Sequence, residues 1–143
     1  MATCTQAVAV PALQQASPPV EKTAHGILVV DDSITARSLE KSILESHGYR
    51  VRVATDGLQA LRLLSVEKAD LIVTDIQMPG LDGFGLIEAL KADDGLKGIP
   101  VIIVSSLERD EDKERGLRLG AHAYVVKRKF DQTELLEAIR QML

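Results

Sequence analysis

The chain has 143 residues, 45% of them hydrophobic, 27% charged and only 3% aromatic, with no tryptophan; this suits one domain with a single core of Leu, Ile, Val and Ala and argues against a second. A net charge of -4, without a long basic run or a basic face interleaved with aromatics, argues against nucleic acid as a partner. Cys4 is the only cysteine, so no intrachain disulfide forms. The opening residues make a poor secretory signal and no apolar run is long enough to cross a bilayer, so a cytoplasmic protein with no membrane partner is expected.

Residues 1–24 are mostly Ala, Val, Gln, Pro, Ser and Thr, with Ser17-Pro18-Pro19, and read as a flexible tail or interdomain linker ahead of a folded unit over 25–143. That unit starts with the strand-like "GILVV" at Gly26. A helical face of Ala36, Leu39, Ile43 and Leu44 follows and ends before Gly48. "RVRVA" is the next strand, and Leu58, Leu61 and Leu64 mark the next helix. After the strand "LIVT" comes a turn, "MPGLDG", and a third helix over Phe84 to Lys91. "VIIV" precedes a fourth helix from Arg109 to Leu119 that stops at Gly120. The strand "AYVV" leads to a last helix opened by "DQTE", where Asp131 caps and Glu134 reaches back, with Leu135, Leu136, Ile139 and Met142 toward the sheet. Strands alternating with crossover helices require a parallel five-stranded sheet, an α/β doubly wound sandwich in three layers.

In such sheets ligands bind beyond the carboxyl ends of the strands. Those ends here carry Asp31 and Asp32, then Asp75, then Ser105 and Ser106, then Lys127. Three converging carboxylates repel unless a hard cation joins them, and oxygen-only ligation suits Mg²⁺. A lysine and hydroxyls complete the surroundings that a phosphoryl group needs, and Asp75 is placed to attack phosphorus as a carboxylate nucleophile. Each residue has an ordinary reading beside this one. Asp31 and Asp32 suit a solvated turn or helix cap, and Lys127 alone is a surface lysine. Ser105 suits turn chemistry, Tyr124 a half-buried core aromatic, and Pro79, Gly80 and Gly83 a sharp bend. The run from Glu108 to Arg118 reads as a solvated helix face, and His25, His47 and His122 have no ligand spacing.

An acidic pair, "D-x-x-M-P-G-x-D-G", a hydroxyl after the fourth strand and a lysine after the fifth occur here together and in order. From about Ile27 to Leu143 the sequence resembles a response-regulator receiver domain of the CheY-like type, which implies the flavodoxin-like sandwich. The resemblance implies Asp75 as phosphoacceptor and Asp32 and Asp75 as direct Mg²⁺ ligands. Asp31 would act largely through water, and the main-chain carbonyl of Gln77 would complete the shell. Lys127 would pair with the phosphoryl group, Ser105 would swing its hydroxyl to it, Ser106 would assist in binding it, and Tyr124 would move inward. The implied donor is a histidine kinase or phosphotransfer domain. The output is a downstream protein docking on the fourth helix, fifth strand and fifth helix, in chemotaxis or motility signalling.

Where many receivers have Lys-Pro, this chain has Lys127-Arg128-Lys129-Phe130, which implies a trans loop of different shape. Parts of the sequence are also similar in style to receivers of chemotaxis-type hybrid histidine kinases, where the domain serves as a phosphate sink or autoregulator. A docking module that is never phosphorylated is another alternative. A phosphohydrolase of the haloacid-dehalogenase type would need a general-acid Asp where Gln77 stands, so the chain is read as catalysing only its own phosphorylation and dephosphorylation. An anionic cofactor is disfavoured by the acidic "DDSIT" after the first strand.

Overall fold

The computed structural model describes residues 25–127 and 132–143. The tail expected over 1–24, the cap expected at Asp131 and the loop residues Arg128 to Phe130 lie outside them. The strands are β1 (Gly26–Val30), β2 (Arg50–Ala54), β3 (Leu71–Thr74), β4 (Val101–Ser105) and β5 (Ala123–Val126). The helices are α1 (Ile34–Ser46), α2 (Gly57–Val66), α3 (Gly83–Ala92), α4 (Asp110–Leu119) and α5 (Gln132–Met142). The strands form one parallel sheet in the order β2-β1-β3-β4-β5.

Alternation along the strands divides the core between the two sheet faces. Ile27, Val29, Leu71, Val73, Ile102 and Val104 pack with Leu44 of α1 and with Leu135, Leu136 and Ile139 of α5. Leu28, Val30, Ile72 and Ile103 pack on the opposite side with Ala60 and Leu64 of α2 and with Phe84, Leu86, Ile87 and Leu90 of α3. The three inner strands β1, β3 and β4 are buried on both faces, hence their continuous β-branched and Leu-rich runs.

The first three helices begin with a side-chain cap on the carboxyl-end side of the sheet. Ser33, Asp56 and Asp82 accept from the backbone N–H of Ala36, Gln59 and Gly85 at 3.3, 2.8 and 2.8 Å. α4 has no side-chain cap; Asp110, Glu111 and Asp112 in its first turn complement the helix dipole instead. Arg52 on the edge strand β2 donates to the carbonyls of Glu67 and Lys68, at 2.7 and 3.1 Å, and ties down the chain leaving α2.

Three expectations about faces need correction. Leu39 is half exposed, and Glu40, at 4% exposure, takes its place on the inner face of α1. Leu58 is likewise half exposed, and α2 buries Ala60 and Leu64. In the charged run of α4, Asp112 is buried rather than solvated, because it falls on the helix face that also carries the buried Gly116.

Candidate phosphoacceptor site

The strand order reverses between β1 and β3, and the crevice beyond their carboxyl ends is where this topology places a ligand. Asp31 and Asp75 occupy that crevice. Each extends the sheet by one backbone bond: Asp31 N–H donates to Ala54 C=O at 3.0 Å and Asp75 N–H to Val30 C=O at 2.9 Å. Both carboxylates are buried, while Asp32 is exposed at the mouth. One carboxylate oxygen from each of the three lies within 4.8 Å of the others.

Asp75 Oδ1 accepts from the N–H of Ile76 at 2.7 Å, which leaves Oδ2 facing Lys127 Nζ at 3.1 Å. Lys127 Nζ also lies 2.7 Å from Asp31 Oδ2. Three carboxylates gathered beside one lysine among the described residues make a donor set that fits a hard cation with oxygen ligands. Burial raises the Asp75 carboxyl above its ordinary range; Lys127 opposes this and Asp31 adds to it. For Lys127, burial works against the ammonium, but pairing with Asp31 and then Asp75 outweighs it and leaves its pKa raised.

The turn after β3 is built around this carboxylate. Gly83 N–H closes the loop onto Ile76 C=O at 2.9 Å, Gly80 has φ +76°, and a Cβ at Gly83 would meet the Asp75 carbonyl oxygen. Asp75 and the start of α3 are therefore in backbone contact, which only glycine permits.

Ser105 is fully buried at the end of β4, and its Oγ accepts from Leu107 N–H at 3.2 Å. Tyr124 is half-buried on β5 and its hydroxyl donates to Leu107 C=O at 2.7 Å. The two expected switch residues thus share Leu107. Burial raises the Tyr124 pKa. Gln77 and Ser106 are exposed, and the Ser106 hydroxyl donates to Gln77 Oε1 at 3.4 Å across the mouth.

Glu40 and Arg37, which the sequence reading passed over, belong to this neighbourhood. Burial, and next the charge of Asp31, push the Glu40 carboxyl up to about 8. Arg37 Nη1 donates to the backbone carbonyl of Asp31 at 2.9 Å. The spacing of Glu40 from Ala36, Ile43 and Leu44 held the signal, since all four recur at helical intervals.

The family of response regulator receiver domains matches residues 27–140. The chain belongs to this family. As a receiver it is 45% identical over 116 residues, 81% of its length, to a gliding motility regulatory protein of Myxococcus xanthus. It spans only 15% of that protein, and under half of several probable transcriptional regulators that it also matches. Among solved structures it is similar to the chemotaxis response regulator CheY4 of Vibrio cholerae, with 31% identity and a TM-score of 0.78, covering 85% of this chain and all of the other. It is also similar to the receiver domain of a sensor histidine kinase of Pseudomonas aeruginosa whose active-site cleft coordinates a magnesium ion. Identity there is 28% and the TM-score 0.76, over 83% and 97% of the two chains. The receiver therefore has the five-stranded sandwich expected from its sequence, and among the described residues no helix is long and apolar enough to cross a membrane.

Proposed function

We propose that this receiver accepts a phosphoryl group on Asp75 from a phosphohistidine of a histidine kinase or phosphotransfer domain. The observation that carries the reading is Asp75 Oδ2, a buried carboxylate oxygen turned toward Lys127 in a cleft that also gathers Asp31 and Asp32. Asp75 Oδ2 forms the bond to phosphorus while the P–N bond of the donor breaks and its electron pair leaves with the imidazole. Ile76 N–H holds Oδ1, so the carboxylate presents one defined oxygen. Asp32, Asp75 and the Gln77 carbonyl would hold Mg²⁺, with Asp31 acting through water, and the ion would supply positive charge to the phosphoryl oxygens. Lys127 moves from its carboxylates to a phosphoryl oxygen, with Ser106 donating from the mouth.

The response begins at Ser105, whose hydroxyl leaves Leu107 N–H for the phosphoryl group. Tyr124 gives up Leu107 and turns inward, changing the face of α4, β5 and α5 that a downstream protein reads. The names of the Myxococcus and Vibrio relatives support a place in motility or chemotaxis signalling.

Intact mass after incubation with a small acyl phosphate, with and without Mg²⁺, tests the chemistry. One base-labile phosphoryl adduct that requires Mg²⁺ is expected. The same adduct on Asp75→Asn would sink the assignment.

A further inference from the structure

We infer that Arg37 is a positioning residue for the metal-binding acidic pair, acting through the Asp31 carbonyl. This rests on the reading of the cleft as a Mg²⁺ site. Beyond Asp31 the chain leaves the sheet for α1, and the Asp31 C=O lies past the last residue paired in β1. Arg37, one turn into α1, supplies the donor, with Nη1 at 2.9 Å. That carbonyl belongs to the peptide joining Asp31 to Asp32, so its plane sets the direction in which Asp32 leaves the backbone.

Asp32 needs such control. Its side chain is exposed, and among the described residues no hydrogen bond holds its carboxylate, yet that carboxylate reaches the cluster. Among the described residues its placement comes from the backbone. On one side of the peptide the Asp31 carboxylate accepts from Ser33 N–H at 2.9 Å; on the other Arg37 holds the carbonyl. Arg37 forms no ion pair among the described residues. Its hydrogen bond goes to a carbonyl and takes up no carboxylate of the cluster, whereas Lys127 lies directly on two of them.

The two possible roles of Arg37 predict opposite signs. If it matters only as a positive charge near an acidic cluster, its removal strengthens cation binding. If it positions the pair, its removal weakens binding, and partners that orient metal ligands are worth one to two orders of magnitude in affinity. The test is the Mg²⁺ dissociation constant of the full chain by calorimetry, together with the Mg²⁺ concentration that half-saturates Asp75 phosphorylation by acetyl phosphate. Arg37→Met is expected to raise both roughly tenfold. Arg37→Lys, with one donor nitrogen and the charge kept, should recover part of the loss. Lys41→Met, which removes the same charge from α1 without touching Asp31, should stay near wild type.

Circular dichroism and thermal midpoints accompany each variant, and if Arg37→Met does not fold, Arg37→Lys and Arg37→Gln carry the comparison. Unchanged or tighter Mg²⁺ binding in a folded Arg37 variant, with a lowered midpoint, overturns the inference and leaves a structural role. A wild-type chain that neither binds Mg²⁺ nor is phosphorylated overturns the cleft reading, and this inference with it.

Discussion

The carboxyl of Glu40 gives the sharpest test of the energetics around the cleft. It is buried on α1, where burial, then Asp31 and Asp75, disfavour its charge, with Lys127 opposing. A group displaced from 4.5 in the unfolded chain to about 8 in the fold prefers the neutral form by about 3 to 5 kcal/mol, at about 1.4 kcal/mol per pH unit. The sign follows from proton binding: between pH 4.5 and 8 the folded state keeps a proton that the unfolded state has lost. Glu40 therefore contributes stability that is complete below pH 4.5, falls as pH rises and is gone above about 8. Gln imitates the neutral acid and does not titrate. Glu40→Gln should match wild type near pH 4.5 and exceed it by about 3 to 5 kcal/mol at pH 8. Urea unfolding followed by circular dichroism, in chelator so that no cation enters the cleft, measures this at several pH values. A variant less stable than wild type at pH 8, or a difference that does not vary with pH, would show that Glu40 is ionised and held by a partner, and the reasoning would fail.

Other outcomes follow from single contacts. Gly83→Ala drives a methyl into the Asp75 carbonyl; overpacking of this kind costs about 1 to 3 kcal/mol, and phosphorylation by acetyl phosphate should fall with it because Asp75, the proposed nucleophile, is displaced. Arg52→Ala frees the carbonyls of Glu67 and Lys68 and should lower stability by about 1 to 2 kcal/mol in urea unfolding, with Arg52→Lys restoring part. Mg²⁺ at 100 times its dissociation constant should stabilise the chain by about 3 kcal/mol. Asp32→Ala, at an exposed position, should abolish that gain without lowering the metal-free thermal midpoint.

Much of this was legible in the order of residues. Continuous apolar runs such as "LIVT" at Leu71 declare strands covered on both faces, and β1, β2, β3 and β5 begin and end where the sequence places them. The carboxylates, hydroxyls and lysine stand directly after those runs, so strict alternation carries them all to one edge of the sheet. Periodicity was less informative on the helices facing the cleft. It favoured Leu39 and Leu58 because they are apolar, yet both are half exposed. Hydrophobicity alone does not reveal that a helix near a polar cleft turns a carboxyl inward.

The sequence by itself determined the sheet, its connections and which chemical groups meet beyond its carboxyl ends, because side-chain alternation and right-handed crossovers leave few other arrangements. Only the tertiary structure decided that Lys127 spans Asp31 and Asp75, that Ser105 and Tyr124 meet at Leu107, and that Arg37 holds the Asp31 carbonyl. These contacts join residues of different elements or lie across a turn. Their existence depends on angles and distances of a few ångströms, set by how the packed layers settle against one another.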